Sequence, residues 1–485
     1  MLLRRATVWS NCVGKCVIDR CNALNLSLVL LSMKKLHLCV TAAVLTFAAC
    51  GQTSYRNGSM PGVSEVPASA LAHRRAIPLG HSRHSPIQHV VIVVQENRTV
   101  DDLFQFLPGA NTQNHGLNSH GQTVQLHAEG LAAPYDLSHT HSAFLTQYAN
   151  AAMNGFDLEL CKGTCPANAA YAYVPQSQVG PYYTLAETYA FADDFFETDQ
   201  GPSFPSHQYL VSGTSTVSDS SPNKASNNGE TPTSQVTGGC DAPQGSLVAV
   251  ITPQGAEPPS LRTFPCFQRQ SLMNELDAAG VSWKYYQAAP GAGIWNAVDA
   301  ISSIWSNPGE MDANVISPPS QVLTDIANGQ LASVVWVTPT KAASDHPRVT
   351  DGSGPSWVAS IVNAIGRSQY WQNTAIFVVW DDWGGFYDHV PPTIYNSFEL
   401  SFRVPLIVVS SYAKSGYVSH AQHEFGSILK FTEETFGLPS LNTTDARADD
   451  LFDCFDFSRG KKFRHIPATN PPSFFFRQPS TEPND

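Results

Sequence analysis

Four short runs of apolar, mostly β-branched residues constrain the fold of this chain more than any other feature. Val90, Val91, Ile92, Val93 and Val94 form the first, and residues 334–337 (VVWV), 376–380 (IFVVW) and 405–409 (PLIVV) share its character. Successive side chains of a strand point to opposite faces, so a strand with one wet face alternates apolar and polar residues. A run without alternation is covered on both faces, as in a parallel sheet. Helical stripes lie between and after these runs: Trp357, Ile361 and Ile365; Leu272, Met273 and Leu276 ahead of Gly280; and Phe425, Ile428, Leu429, Thr432 and Phe436 ahead of Gly437. Glycine just past the last apolar position is a natural C-terminal cap. Strands alternating with helices predict an α/β fold, with a central, mostly parallel sheet and helices on both faces.

The 485 residues can bury one large core or two smaller ones, and 14% charged against 42% apolar residues suits a globular chain. With 28 basic and 40 acidic side chains the net charge is -12, which disfavours a nucleic-acid surface because phosphate backbones are held by clustered Lys and Arg. No nucleic-acid partner is expected. Met33, Lys34 and Lys35, an apolar run over 36–47 and the sequence Ala48, Ala49, Cys50 follow the pattern of a secretory signal. That run is short for a membrane span, which needs about 20 residues. Residues 1–50 are therefore expected to be an export signal with Met33 as its start. Cys50 resembles the lipidated cysteine of a bacterial lipoprotein, which would attach the chain to a membrane. A periplasmic, membrane-anchored or secreted protein follows. Residues 51–85, rich in Ser, Gly, Pro and Arg, read as a disordered tether. The main domain is expected over 86–460, with a loop-rich insertion at about 212–260 rimming the active face and a Pro-rich tail at 461–485. Export into an oxidising compartment predicts disulfides Cys161–Cys165 and Cys240–Cys266, leaving Cys454 free.

In open α/β sheets ligands gather at the carboxyl ends of the strands. Two of the runs end in dense polar clusters, one in Gln95, Glu96, Asn97 and Arg98, the other in Asp381 and Asp382 followed by Trp383, Gly384 and Gly385. Carboxylates and an amide are hard oxygen ligands for a divalent cation. Adjacent Asp residues can face one ion only where the chain leaves the strand, and the two glycines supply the freedom for that turn. Asp381 and Asp382 could equally cap a turn without binding anything. Ser203, in GPSFPSH at 201–207, falls at a helix start, where the dipole and amide groups favour a phosphate anion. Metal contact would make it a nucleophile; an ordinary N-cap is the alternative. His139, His346 and His389 lie in loop-like contexts beside Asp or Pro, as solvated side chains or as groups that hold phosphoryl oxygens and protonate a leaving group.

Together these segments resemble the bacterial phosphoesterase family of phospholipases C and acid phosphatases. In order they are IQHVVIVVQENRT at 87–99, DLSHTH at 136–141, MNGF at 153–156, GPSFPSH at 201–207, DHP at 345–347, WDDWGGFYDHVPP at 380–392, RVPLIVVS at 403–410, VSH at 418–420 and FDF at 455–457. The resemblance implies an alkaline-phosphatase-like fold and one divalent metal ion held by Glu96, Asn97, Asp381 and Asp382. It implies Ser203 as nucleophile and further ligand, His139 and His346 around the phosphoryl group, and His389 in a matching motif. The 203–207 segment also echoes the sulfatase signature, but His207 stands where that signature has Arg, which argues against conversion of Ser203 to formylglycine. A Pro-rich tail soon after Phe457 points to the shorter, phosphatase-like members. The expected substrate is a phosphate-ester small molecule; the alternatives are a phospholipase C acting on phosphatidylcholine-type lipids and an inactive ligand-binding lipoprotein. Loss of Ser203 or a metal ligand would favour the last, and all of them are present. The metal is left open among Mg, Ca, Mn, Zn and Fe.

Overall fold

The apolar runs become neighbouring strands of one sheet. The structure, a computed structural model, describes residues 85–481. The export signal expected at 1–50, with Cys50, and all but the last residue of the tether lie outside them. Eight strands form the central sheet: β1 (His89–Gln95), β2 (Ala190–Ala192), β3 (Trp283–Tyr286), β4 (Val315–Ile316), β5 (Val334–Val337), β6 (Thr374–Trp380), β7 (Leu406–Ser410) and β8 (Tyr417–Ser419). Their spatial order is β4-β3-β5-β1-β6-β7-β2-β8. All pairs are parallel except those of β7, which runs against both β6 and β2. The expected α/β class, with a mostly parallel sheet, is what the chain adopts.

Both faces of the sheet are covered, as the missing alternation requires. Ile92 lies beside Trp336 and Gln95 beside Trp380, and these β1 positions are three apart, so the two tryptophans point to opposite faces. Trp336 Nε1 donates to Leu210 O in a helix over Ser203–Ser212, whereas Trp380 packs on Tyr182 of a helix over Gly180–Thr188. These helices are α2 (Ser203–Ser212) and α1 (Gly180–Thr188). With α2 pack α3 (Leu272–Ala279) and α6 (Phe425–Phe436); with α1 packs α5 (Gly354–Gly366), which also contacts α4 (Gln321–Ala327). Gly280 and Gly437 cap α3 and α6 in the left-handed conformation, as expected. Val90, Val91, Ile92, Val93 and Val94 are all buried. At about 1.5–3 kcal/mol per fully buried large aliphatic side chain, β1 is a principal stabilising element of the core.

The 212–260 segment is not merely loop. Lys224–Ala225, Val248–Ile251 and Arg262–Thr263 pair as a small antiparallel sheet. Ala225 and Val248 join Phe204, Phe267, Ile294, Trp295 and Ala300 in a satellite apolar cluster. Both disulfides form, with Cα–Cα distances of 6.2 Å for Cys161–Cys165 and 4.4 Å for Cys240–Cys266, and Cys454 is a free, buried thiol. The Pro-rich tail packs on the domain: Phe475 lies against Trp357 of α5, and Phe463 against Trp371.

Candidate active site

Convergence of the two polar clusters follows from sheet register. β1 and β6 are adjacent and parallel, with Gln95 opposite Trp380. Glu96–Asn97 and Asp381–Asp382 therefore leave the sheet side by side at the same level. The turn after β6 needs glycine: Gly384 and Gly385 have φ of 61° and 75°, and a Cβ on Gly384 would sit 2.4 Å from Asn97 O. That tight turn aims both Asp side chains at the Asn97 loop. Asn97 N donates to Asp381 Oδ1 at 3.0 Å, and Asn97 Nδ2 donates to Asp382 Oδ1 at 2.8 Å. Asn97 itself is left-handed at φ 60°, a conformation Asn tolerates better than most residues.

Ser203 is the first residue of α2, with Pro202 as the cap. Its hydroxyl makes no capping bond and donates instead to Asp382 Oδ2 at 3.2 Å and Glu96 Oε2 at 3.5 Å. An ordinary cap role is thereby excluded. One expectation needs correction: the first turn of α2 does not offer a row of amides to an anion. Phe204 N donates to Asn228 Oδ1 of the insertion at 3.0 Å, and Pro205 has no N–H.

His139 Nδ1 donates to Leu137 O at 2.8 Å, which turns Nε2 toward the cluster, 3.2 Å from Asn97 Nδ2 and 3.8 Å from Asp382 Oδ2. His346 Nδ1 bonds Pro347 O at 2.7 Å, and its ring lies 6.2 Å from that of His139 and 6.2 Å from that of Trp295. The eighth candidate goes elsewhere. His389 Nδ1 is 2.7 Å from Asp101 Oδ2 and its Nε2 is 3.1 Å from Asn111 Oδ1, in a cluster with Asp388 and Arg403. Although burial opposes it, Asp101 raises the His389 pKa.

Two participants escaped the sequence reading. His207, one turn along α2 from Ser203, places Nε2 3.0 Å from Glu96 Oε1 and 3.6 Å from Asp381 Oδ2. Its signal was the i, i+4 spacing, which sets Ser203 and His207 on one helix face. Burial pushes its pKa down to about 4, against the pull of Asp381, so the ring is neutral near pH 7 and suited to ligation. Arg98 is the other. Its guanidinium donates to Asp345 O at 2.9 Å and Leu131 O at 2.6 Å, anchoring the loop that carries His346. Asp345 in turn accepts from Tyr182 Oη at 2.7 Å and is left-handed at φ 70°.

The residues present fit a divalent metal. Ligand atoms of Glu96, His207 and Asp381 lie within 4.8 Å of one another in full burial. Asn97 Oδ1 and Asp381 Oδ2, also buried, have no hydrogen-bond partner among the described residues. Buried oxygens are costly unless satisfied, and a cation would satisfy both.

The phosphoesterase family model matches residues 87–439. Phospholipase C B of Mycobacterium tuberculosis is 24% identical over 447 residues, covering 77% of this chain and 78% of that protein. Hemolytic phospholipase C of Pseudomonas aeruginosa is 24% identical over 76% of this chain and 56% of its own length. Non-specific phospholipase C1 of Arabidopsis thaliana is 22% identical over 76% of this chain and 70% of its own length. With a family match over most of its described length and this cluster at its strand ends, the chain belongs to the phosphoesterase family and is a hydrolase of phosphoric ester bonds.

Proposed function

We propose that Ser203 is the nucleophile of a metal-dependent phosphoester hydrolysis that acts on phosphomonoesters. The observation that carries this reading is the meeting of Ser203 Oγ with Glu96 and Asp382 at the ends of two strands far apart in sequence. When bound, a divalent cation held by Glu96, Asn97, Asp381, Asp382 and His207, with Ser203 as a further ligand, supplies charge neutralisation at the phosphoryl oxygens and a lowered serine pKa. An oxygen-rich donor set suits Mg, Ca or Mn, and the His207 nitrogen admits Zn or Fe.

Ser203 Oγ forms the new P–O bond in line while the ester oxygen leaves. The hydroxyl proton, directed at Asp382 Oδ2, passes to that carboxylate. His139 is the most exposed member of the cluster at 7%, whereas Ser203 and the four carboxylate and amide ligands are fully buried. The leaving group must point toward solvent, so His139 enters the step as the imidazolium and gives its Nε2 proton to the departing alkoxide, which leaves the neutral ring to act on water. Water then cleaves the phosphoserine with His139 as base, restoring Ser203. His346, across from His139, holds a phosphoryl oxygen. His389 acts at a distance, fixing the Asp101–Arg403 cluster.

The names of the relatives favour a second reading, phospholipid cleavage with release of diacylglycerol. Parallel assays on a chromogenic phosphomonoester and on phosphatidylcholine separate the two, with elemental analysis of the protein alongside. Phosphoserine trapped at position 203 after an acid quench supports the mechanism. Turnover that continues in metal-free protein overturns it. Export is the accompanying proposal, supported by the signal pattern and the two disulfides.

A further inference from the structure

We propose that Glu197, Asp199 and Ser401 form a second cation site, built of oxygen donors alone and distinct from the catalytic cluster. All three residues are fully buried, on the segment that leads into α2 and on the segment paired with it. The segments are locked together: Glu197 N donates to Phe402 O at 3.1 Å, Ser401 N to Glu197 O at 2.9 Å, and Gln200 N to Phe398 O at 3.1 Å. Asp199 Oδ1 and Oδ2 have no hydrogen-bond partner among the described residues, and the Ser401 hydroxyl lies against the Glu197 carboxylate as its hydrogen-bond partner. Thr198, between the two acids, turns its hydroxyl away to accept from Phe425 N at 2.9 Å. Gly201 keeps room beside Asp199, since a Cβ there would come within 3.1 Å of Asp199 Oδ2.

A second cation would balance the charge of these acids in their ionised form. Glu96, Asp381, Asp382, Glu197 and Asp199 are five buried carboxylates, so one divalent ion on the catalytic cluster leaves three negative charges. After burial, the strongest influences on Glu197 are Asp199, Asp382 and Asp381, and on Asp199 they are Asp382 and Glu399, all acidic. Both acids are pushed well above the ordinary carboxyl range. An uncompensated buried charge is far more costly than a paired one, and carboxylates with a hydroxyl are donors for a hard cation of the Ca or Mg class. Asp199 lies four residues before Ser203, so the ion would also brace the approach to the nucleophile.

The test uses the full-length protein, stripped and reloaded with Mn2+ as the probe, and counts bound ions per chain. Two per chain are expected in the wild type, one in the Glu197→Gln, Asp199→Asn double variant, and one in Asp381→Asn. A double variant that binds as many ions as the wild type overturns the proposal, because the acids are then neutralised by protons. Loss of an ion in the double variant but none in Asp381→Asn supports this site while overturning the catalytic metal reading, so the two fail separately. Wild-type crystals soaked in Mn2+ give a check free of substitutions. An anomalous peak between Glu197 and Asp199 is expected, and its absence overturns the site.

Discussion

Ser203 and His207 share one face of α2, and the proposed chemistry of the site turns on that pairing. Removing a hydroxyl that merely capped a helix costs about 1 kcal/mol and leaves turnover intact. Pro202 already occupies the cap, and the Ser203 hydroxyl points at Asp382 and Glu96. Ser203→Ala is therefore expected to lower kcat at least about 1,000-fold with little change in thermal midpoint, measured by parallel assay and unfolding. His207→Ala removes a neutral buried imidazole from between Glu96 and Asp381. Metal affinity should fall about 10- to 100-fold, read by calorimetry and by the metal dependence of turnover. Unchanged affinity would return His207 to a purely structural role.

At the scale of elements, Glu399 ties three parts of the chain together. Its carboxylate accepts from Tyr209 Oη of α2 at 2.8 Å and Arg447 Nη1 at 2.5 Å, and it pairs with Lys224 of the insertion. Burial alone would raise the Glu399 pKa, but Lys224 and Arg447 outweigh it and hold the group at about 2. The folded pKa lies below the ordinary 4.5, so the stabilisation is present above about pH 4.5 and is lost as pH falls through 2. Glu399→Gln should flatten the stability profile between those values in urea titrations. Glu399→Ala should cost about 3 kcal/mol at pH 7, because Lys224 loses its carboxylate partner and Arg447 loses one of its two. The elements themselves were legible in advance. Val90 to Val94 and residues 376–380 are short, mostly β-branched and without polar alternation, as a doubly covered strand is, and Gly437 marks the end of α6. The 212–260 segment was less legible, because Ala225 and Val248 look isolated in sequence and become a cluster only against Phe204 and Trp295.

The whole molecule is expected to depend on its metal for stability as well as for catalysis. A ligand bound only by the folded state stabilises it by about 2.7 kcal/mol at 100 times Kd. Here that ligand would also offset the repulsion among Glu96, Asp381 and Asp382. Chelation should lower the thermal midpoint by several degrees, with recovery on readdition of Mg2+, Mn2+ or Zn2+ in order of affinity. A midpoint indifferent to chelator would argue that the cluster is neutral without an ion. By itself the sequence determined the buried strands, the helix start at Ser203, the two local disulfides and the hard ligands at the ends of β1 and β6, because these depend on period, turn chemistry and short-range geometry. Tertiary structure decided which strands are neighbours, and through the register of Gln95 with Trp380 it brought Glu96 and Asp381 to one point. It also sent His389 to Asp101, set His207 among the acids and buried Glu197 with Asp199. Those outcomes rest on pairing between segments a hundred or more residues apart, whose energy belongs to the packed pair and leaves no mark on either segment alone.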